Sequence, residues 1–265
     1  MRSFNERHLL SDSNNVLEVS CLSVIGDREE QQDSFCYLLK ETGGMVVVCD
    51  GMGGHQGGKI ASNLATECFE IEYGNIGSLE AVDDFLLNTV TSCDELISSL
   101  RNEAGELLKA GSTCVALVIR NKELHWCSVG DSRAYLLRGN EFVQLTQDQN
   151  YYSVLKAKLE TGLISEEDYQ NQEKQGEALI SYLGIGNLSL IDYNNAPLPL
   201  ISGDTIVVTT DGLYRYVSDE EIKRVVENFR NNEEALFALD AKAKSAAKLR
   251  ELSRDNMTVA IISIK

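Results

Sequence analysis

Short polar turns separate many of the apolar, β-branched runs of this 265-residue chain, and they constrain its fold more than any other feature. The turns at residues 120–122, 130–132 and 138–140 are too short for the crossover that joins two parallel strands. They therefore predict antiparallel hairpins. The runs themselves predict nine strands, at residues 18–25, 34–39, 45–49, 113–119, 124–129, 134–138, 141–145, 205–210 and 258–264.

Helical periodicity occupies the segments between the blocks of strands. Apolar residues three or four positions apart within 60–69 and 82–100 predict two long amphipathic helices after the third strand. The capping-box spacing at 165–168 and at 218–221 predicts two helix starts, and the Ala-rich segment 235–249 predicts a further helix. Hairpins together with helix pairs, rather than strict strand-helix alternation, predict an α+β fold with antiparallel sheets at its centre.

Composition excludes several classes of partner. The chain carries 41 acidic and 24 basic residues, a net charge of -17, so binding to nucleic acid or to an anionic membrane surface is not expected. No apolar run approaches the length of about 18 residues needed for a membrane span. Seven cysteines without a CxxC pair favour free thiols in the cytoplasm over a zinc site. Because no repeat or linker divides the sequence, a single domain over residues 1–265 is expected.

Four aspartates share one setting, at the end or turn of an apolar strand and beside Gly or a small polar residue. They are Asp50, Asp131, Asp211 and Asp255. A carboxylate at a strand end is held by a rigid sheet yet points out of the core. Taken singly, each is a common turn or cap residue. Together they are typical of a site for Mg²⁺ or Mn²⁺, which prefer oxygen ligands. Spacing alone leaves both interpretations open.

A longer, ordered set of motifs carries a resemblance to a known family. The motifs are GDREEQQD at 26–33, DGMGGH at 50–55, GST at 111–113, SVGDSRAY at 128–135, LTQD at 145–148, TDGL at 210–213 and RDNMTV at 254–259. From about residue 18 onward, the chain resembles bacterial members of the PP2C (PPM) family of metal-dependent serine/threonine protein phosphatases. The resemblance implies a central antiparallel β-sandwich with helix pairs on both faces, and a metal centre at one edge.

The resemblance also implies a set of metal ligands. Asp50 would bridge two Mn²⁺ or Mg²⁺ ions, and Gly51 would offer its carbonyl oxygen to one of them. Asp211 and Asp255 would hold the other ion. Asp131 matches a position that helps to bind a third, weaker ion in bacterial members of the family.

The implied reaction is hydrolysis of phosphoserine and phosphothreonine in proteins by a water activated at the dinuclear centre. Asp33 would orient that water, and Arg28 would clamp the phosphoryl oxygens through its planar guanidinium group. No side chain is needed as a nucleophile, which separates this chemistry from that of cysteine-based phosphatases. The expected partners are phosphorylated protein substrates of a serine/threonine kinase, and the expected protein is a cytoplasmic monomer that acts in signalling.

Three residues depart from the pattern of many family members. Gln32 stands where many members have Glu. The loss of that negative charge would weaken one metal site. Met52 stands where animal members have His, although bacterial members commonly have Met. Arg215 places a cation where some members place an Asp on the third ion. In addition, residues 148–182 match the variable flap beside the active site, which the family uses in substrate choice.

Two alternatives remain open. A non-catalytic PP2C-like module would bind a phosphoprotein without turning it over, although such a scaffold has no reason to keep mutually repelling carboxylates. A phosphatase devoted to one signalling protein, such as an anti-sigma-factor antagonist, is the other alternative. Metal-dependent hydrolysis would distinguish the enzyme from the non-catalytic module. The flap would determine whether the phosphatase is devoted to one signalling protein.

Overall fold

The computed structural model describes residues 7–54, 56–75 and 82–265, which contain two antiparallel sheets and helices on either side of them. The strands are β1 (Arg7–Ser13), β2 (Leu17–Val24), β3 (Asp33–Lys40), β4 (Gly43–Met52), β5 (Gly111–Ser112), β6 (Cys114–Arg120), β7 (Glu123–Val129), β8 (Arg133–Arg138), β9 (Glu141–Gln144), β10 (Asp192–Tyr193), β11 (Leu198–Pro199), β12 (Thr205–Thr209) and β13 (Met257–Ile264). All nine predicted strands are therefore confirmed.

The helices confirm the predicted periodicity and caps. They are α1 (Gly57–Asn75), α2 (Val82–Ser98), α3 (Tyr151–Glu160), α4 (Glu166–Gln172), α5 (Asp211–Tyr214), α6 (Asp219–Asn228) and α7 (Asn232–Leu249), with a 3₁₀ turn at Glu173–Gln175. Both predicted capping boxes are present, at Ser165 before α4 and at Ser218 before α6. Each box satisfies backbone N–H groups that a helix start leaves without partners. Among these helices, none is both long and apolar enough to span a membrane.

The two sheets have different strand orders. The first sheet runs β1-β2-β13-β12-β8-β9, and the second runs β10-β7-β6-β4-β3 with β11 also on β7 and β5 on β4. The turns at 120–122 and 138–140 make the predicted hairpins β6-β7 and β8-β9. The predicted hairpin at 130–132 is wrong, because β7 and β8 belong to different sheets and β8 pairs with β12 instead. Gly130, at φ 95°, turns the chain from one sheet to the other.

The sheets and helices stack in four layers. In β4, Val46 and Val48 pack into the core between the two sheets, whereas Met45, Val47 and Cys49 pack against α1 and α2. On the opposite side, α6 and α7 pack on β2, β8, β12 and β13. Because both faces of the central strands are covered, most residues of these strands are buried. This arrangement is the predicted α+β sandwich with helix pairs on both outer faces.

A buried carboxylate fixes the segment that follows the flap. Asp94 on α2 is 1% exposed. Its Oδ1 accepts from the N–H groups of Gly184 at 2.8 Å and Gly186 at 3.1 Å, and its Oδ2 accepts from the N–H of Leu188 at 3.0 Å. Asp94 thereby satisfies three backbone donors of a loop that lacks regular secondary structure. The flap is therefore anchored at its C-terminal side by α2.

Candidate active site

The carboxylates singled out from the sequence meet at one edge of the two sheets. Strand β4 ends there at Met52, β12 ends at Thr209 and β13 begins at Met257. The cleft at this edge has a volume of about 660 Å³. Its lining includes six of the predicted site residues, Arg28, Asp50, Gly51, Asp131, Asp211 and Asp255. Asp33, the remaining predicted residue, lies outside this lining.

Asp50 is positioned by the pairing of β4 with its neighbours. It lies directly opposite Asp33 in the antiparallel register of β3 and β4. Its backbone N–H donates to Thr113 Oγ1 at 2.9 Å, and its carbonyl oxygen accepts from the Thr113 N–H at 2.8 Å. Burial, and then the charges of Asp33 and Asp211, raise the pKa of Asp50 well above its ordinary value. A cation beside the Asp50 carboxylate would stabilise its charged form and so offset the free-energy cost of burying that charge.

Gly51 follows Asp50 at a point of close packing. Its N–H donates to the Gln32 carbonyl oxygen at 3.1 Å. A Cβ at Gly51 would lie 2.1 Å from the carbonyl oxygen of Gly58 and 2.5 Å from that of Gln32. Any larger residue would therefore push α1 away from β4. The absence of a side chain leaves the Gly51 backbone in the wall of the cleft.

Asp33 lies behind the cleft. It is 6% exposed, and its Oδ2 accepts from Thr210 Oγ1 at 2.9 Å. Its Oδ1 is buried and has no hydrogen-bond partner in the described part of the chain. Burial raises the pKa of Asp33 to about 7, and the neighbouring Thr258 and Thr210 hydroxyl groups oppose this only in part. Because Thr210 immediately precedes Asp211, the Thr210–Asp33 bond ties β3 to the segment that carries Asp211.

Asp211 is the first residue of the short helix α5. Its Oδ2 lies 2.7 Å from Arg215 Nη2, one turn later. Its Oδ1 is buried without a hydrogen-bond partner among the residues that the structure describes. Burial raises the pKa of Asp211 to about 7, although the charge of Arg215 opposes this effect. Gly212 allows the close approach of α5 to β13, since a Cβ there would lie 1.9 Å from the Asn256 carbonyl oxygen.

Asp255 pairs with Arg28 across the cleft wall. Arg28 Nη2 lies 2.6 Å from Asp255 Oδ2, and the two side chains are 58% and 25% exposed respectively. The neighbouring Asn256 holds the loop that carries Arg28. Its Nδ2 donates to the Glu30 carbonyl at 3.0 Å, and its Oδ1 accepts from the Gln32 N–H at 2.8 Å. A buried amide next to β13 thus sets the position of the loop between β2 and β3.

Asp131 occupies the corner between the two sheets. Its Oδ2 accepts from Asn150 Nδ2 at 3.2 Å, and its carbonyl oxygen accepts from the Tyr214 hydroxyl at 2.9 Å. Burial raises the pKa of Asp131, and the hydrogen bond from Asn150 partly opposes this. Asp131 is therefore held by α5 on one side and by the first residues of the flap on the other.

Two arginines form ion pairs with carboxylates of the cleft. Arg28 pairs with Asp255, and Arg215 pairs with Asp211. As these side chains stand, no three His, Cys, Asp or Glu side chains within the described ranges are placed to hold one metal ion. At the paired oxygens a metal ion would compete with the guanidinium groups for the carboxylate lone pairs. The set of carboxylates and a glycine carbonyl nevertheless has the chemistry that Mg²⁺ and Mn²⁺ prefer.

Glu177 is one cleft residue that sequence reasoning missed. It lines the cleft from the flap, and its Oε2 lies 3.4 Å from Arg215 Nη2. No pattern in the sequence marks it, because it stands in a stretch of similar polar residues. His55, in the glycine loop, lies outside the described residues.

Comparison with known protein families gives a match over most of the chain. A family model described as protein phosphatase 2C matches residues 23–252. The chain belongs to the protein phosphatase 2C family. The match includes the loop of Arg28, the end of β4 and α5, and it ends just before Asp255.

Curated relatives of this PP2C-family chain are bacterial phosphatases. The serine/threonine phosphatase stp of Listeria monocytogenes is 28% identical over 226 residues, which cover 84% of this chain and 85% of that protein. The protein phosphatase PhpP of Streptococcus pneumoniae is 28% identical over 253 residues, which cover 94% of this chain and 98% of that protein. Both alignments extend over most of each PP2C-family chain.

Solved structures share the fold of this PP2C-family chain. The serine/threonine phosphatase of S. agalactiae has a TM-score of 0.80 and 25% identity, and covers 94% of this chain and 100% of that one. The catalytic domain of the phosphatase PstP, solved in complex with two manganese ions, has a TM-score of 0.71 and 24% identity, with 94% and 98% coverage. The predicted family and fold are therefore confirmed.

Proposed function

We propose that this protein is a metal-dependent serine/threonine phosphatase that hydrolyses phosphoserine and phosphothreonine in proteins. The observation that carries the proposal is the convergence of four carboxylates on one cleft beside an exposed guanidinium. The carboxylates are those of Asp50, Asp131, Asp211 and Asp255, and the guanidinium is that of Arg28. Such a cluster is electrostatically costly unless cations compensate it. The names of the curated relatives support the same activity.

The residues of the cleft fit two hard divalent cations. The buried Asp211 Oδ1 has no hydrogen-bond partner in the described residues, and the pKa of Asp50 is raised well above its ordinary value. Asp50 and the Gly51 carbonyl oxygen would hold one Mn²⁺ or Mg²⁺ ion, and Asp50, Asp211 and Asp255 would hold the other. When bound, such ions lower the pKa of a water molecule and neutralise phosphoryl charge. The two manganese ions in the PstP complex support this number.

Arg28 would bind the phosphoryl group of the substrate. Its side chain is 58% exposed at the cleft, and within the described ranges only its Nη2 is engaged, by Asp255. The rest of the planar fork can donate two parallel hydrogen bonds to phosphoryl oxygens. This contact would position the phosphorus atom and stabilise the charge that spreads over its oxygens in the transition state.

Asp33 would act from behind the metal ligands. Thr210 fixes one of its carboxylate oxygens and leaves Oδ1 without a partner in the described residues. This free oxygen would accept a hydrogen bond from the attacking water and so orient it towards the phosphorus atom.

The residues around Asp131 disfavour a third metal ion. Arg215 already places a positive charge among Asp211, Glu177 and Asp131. A divalent ion there would be repelled by this guanidinium. We therefore propose two ions for this protein, with Arg215 supplying the neighbouring charge.

We also propose that residues 1–265 form one phosphatase domain, with residues 148–182 as its flap. The bond from Asn150 to Asp131 and the Glu177–Arg215 ion pair support a flap that contacts the site. The described cysteines are free thiols, which supports the cytoplasm as the compartment. There the protein would act as a monomer that opposes a serine/threonine kinase in signalling.

Metal-dependent hydrolysis tests the proposal. p-Nitrophenyl phosphate and a phosphothreonine peptide are incubated with Mn²⁺, with Mg²⁺ and with EDTA. The variant Asp211→Asn removes a metal ligand, and Asp84→Asn, at an exposed position of α2, is the matched control. We expect release of phosphate with metal, none with EDTA, and loss only in Asp211→Asn. A folded protein that releases no phosphate with either metal would contradict the proposal and favour the non-catalytic binding module.

A further inference from the structure

A second cleft, which we call the basic cleft, lies next to the candidate active site. It has a volume of about 430 Å³. Its basic lining residues are Arg7, Lys244, Lys248 and Arg254. Asp27 lines both this cleft and the candidate active site. The two clefts therefore lie on either side of the corner formed by Gly26 and Asp27, immediately before Arg28.

The basic cleft has more positive than negative charge. Arg7, on β1, and Arg254, in the segment before β13, both form ion pairs with the buried carboxylate of Asp240. Lys244 and Lys248 have no carboxylate partner among the described residues. Asp240 and Asp27 thus face four basic side chains, in a chain whose net charge is -17. A local surplus of this kind attracts an anion over a few ångströms, because the opposing field of the whole surface decays over about 8 Å at physiological salt.

The two lysines lie close together on α7. Lys244 and Lys248 are exposed and one turn apart, so their like charges repel each other, and Lys248 lies in the last turn, where the helix dipole favours a cation. By contrast, Lys242 on the same helix lies 3.6 Å from Glu221, and Arg224 on α6 lies 3.4 Å from Glu220. The unpaired lysines are therefore confined to the part of α7 that lines the basic cleft.

The wall between the two clefts is tightly packed. The Asp27 N–H donates to the Arg254 carbonyl at 3.0 Å, and Asp27 Oδ2 accepts from the Arg254 N–H at 2.8 Å. A Cβ at Gly26 would lie 2.2 Å from the Asp255 carbonyl oxygen. The basic cleft is thus fixed relative to Arg28 and Asp255. A group bound there has a defined position relative to the candidate active site.

We propose that the basic cleft binds acidic side chains of a protein substrate that flank its phosphorylated residue. This inference rests on the proposed phosphatase function, and it adds a preference for acidic sequence next to the phosphate. Because Asp27 belongs to both clefts, an extended substrate at about 3.3–3.6 Å per residue needs only a few residues to reach from one to the other. Lys244 and Lys248 provide the specificity and take no part in the chemistry.

Matched peptides and matched variants test this proposal. Two phosphothreonine peptides differ only in having three Glu or three Gln on each side of the phosphothreonine. The double variant Lys244→Gln/Lys248→Gln removes the free charges of the basic cleft. The double variant Lys242→Gln/Arg224→Gln makes the same change in net charge at exposed positions outside it. Hydrolysis is measured with Mn²⁺, and binding of the fluorescent peptides is measured by anisotropy in EDTA.

We expect the cleft variant to lower kcat/KM for the Glu peptide by about three- to tenfold and to leave the Gln peptide and p-nitrophenyl phosphate unchanged. Binding of the Glu peptide in EDTA should weaken by a similar factor, and the control variant should match the wild type. An equal loss in both double variants, or no preference for Glu in the wild type, would overturn the proposal. Failure of the wild type to hydrolyse p-nitrophenyl phosphate would count against the phosphatase function, while the anisotropy result would still decide the basic cleft.

Discussion

Arg215 Nη2 lies 2.7 Å from Asp211 Oδ2, so a carboxylate that the sequence suggests as a metal ligand is held by a guanidinium one turn away. The same guanidinium reaches Glu177 of the flap at 3.4 Å. Arg215 therefore connects the flap to the candidate metal centre. In the proposed enzyme, Arg215 would be one link between metal binding and flap position, besides the Asn150–Asp131 hydrogen bond.

Replacement of Arg215 tests that coupling. We expect Arg215→Gln to bind Mn²⁺ several-fold more tightly than the wild type, because the cation no longer competes for Asp211. Isothermal titration calorimetry measures the affinity and the number of ions without any reliance on activity. Arg224→Gln removes an exposed ion pair of α6 and serves as the control. Equal affinities in the wild type and Arg215→Gln would show that Arg215 does not compete.

Removal of the Arg28 side chain should mainly impair substrate binding. We expect Arg28→Ala to raise KM and to lose on the order of 2 kcal/mol in kcat/KM, the scale of a charge-assisted contact. Arg28→Lys should recover only part of the loss, since an ammonium group cannot make the two parallel hydrogen bonds. Steady-state kinetics on a phosphothreonine peptide measures this, with the exposed Arg230→Ala as the control. An unchanged kcat/KM would remove Arg28 from the site.

The metal-free protein should become less stable as pH rises. Burial raises the pKa values of Asp33 and Asp211 to about 7, whereas an unfolded Asp titrates near 3.8. Between about pH 4 and pH 7 the folded state therefore binds more protons than the unfolded state, so raising the pH favours unfolding. Divalent metal should reverse this, because it stabilises the ionised carboxylates.

Thermal unfolding with EDTA and with Mn²⁺ measures this effect as a difference in Tm. The measurements are made at about pH 5.5 and about pH 8, which lie below and above the raised pKa values of the two aspartates. The increase in Tm on adding metal should be larger at the higher pH. Asp211→Asn should show a weaker pH dependence without metal, because one of the two titrating groups is gone. The same increase at both pH values would contradict the expected linkage.

The Asp94 anchor should be important for stability. Asp94→Ala leaves the buried N–H groups of Gly184, Gly186 and Leu188 without their acceptor, and we expect a loss on the order of 3 kcal/mol in the free energy of unfolding. Urea denaturation measures the loss, and hydrogen exchange should show faster exchange at these three amides. The exposed Asp84→Ala is the control. A loss within about 0.5 kcal/mol of that control would contradict the anchoring role.

The strands were predictable because the layers cover both of their faces. Residues 45–49 of β4 are all buried and apolar, so this run is clear from the sequence as a strand. Strand β1 was missed for the opposite reason. It lies at a sheet edge with mostly exposed residues and has no apolar alternation. The turn at 130–132 was misassigned because its length fits a hairpin, and only the pairing of β8 with β12 shows otherwise.

The candidate site was predictable as a set of residues but not as a set of contacts. Asp50, Asp211 and Asp255 stand out because strand ends place carboxylates at one edge. Their pairing with arginines depends on side-chain positions that spacing does not determine. Glu177 was missed because the flap has no periodicity, and its place in the cleft depends on the loops around it.

The central position of β13 has a consequence for synthesis of the protein. Residues 257–264 lie between β2 and β12 in the first sheet, and Asn256 just before them holds the loop of Arg28. During synthesis, domains generally fold as units. A nascent chain that has emerged only as far as α7 lacks Asp255, the support of the Arg28 loop and a middle strand of the sheet. In the proposed enzyme, therefore, no active phosphatase forms on the ribosome until β13 has emerged and inserted between its neighbours.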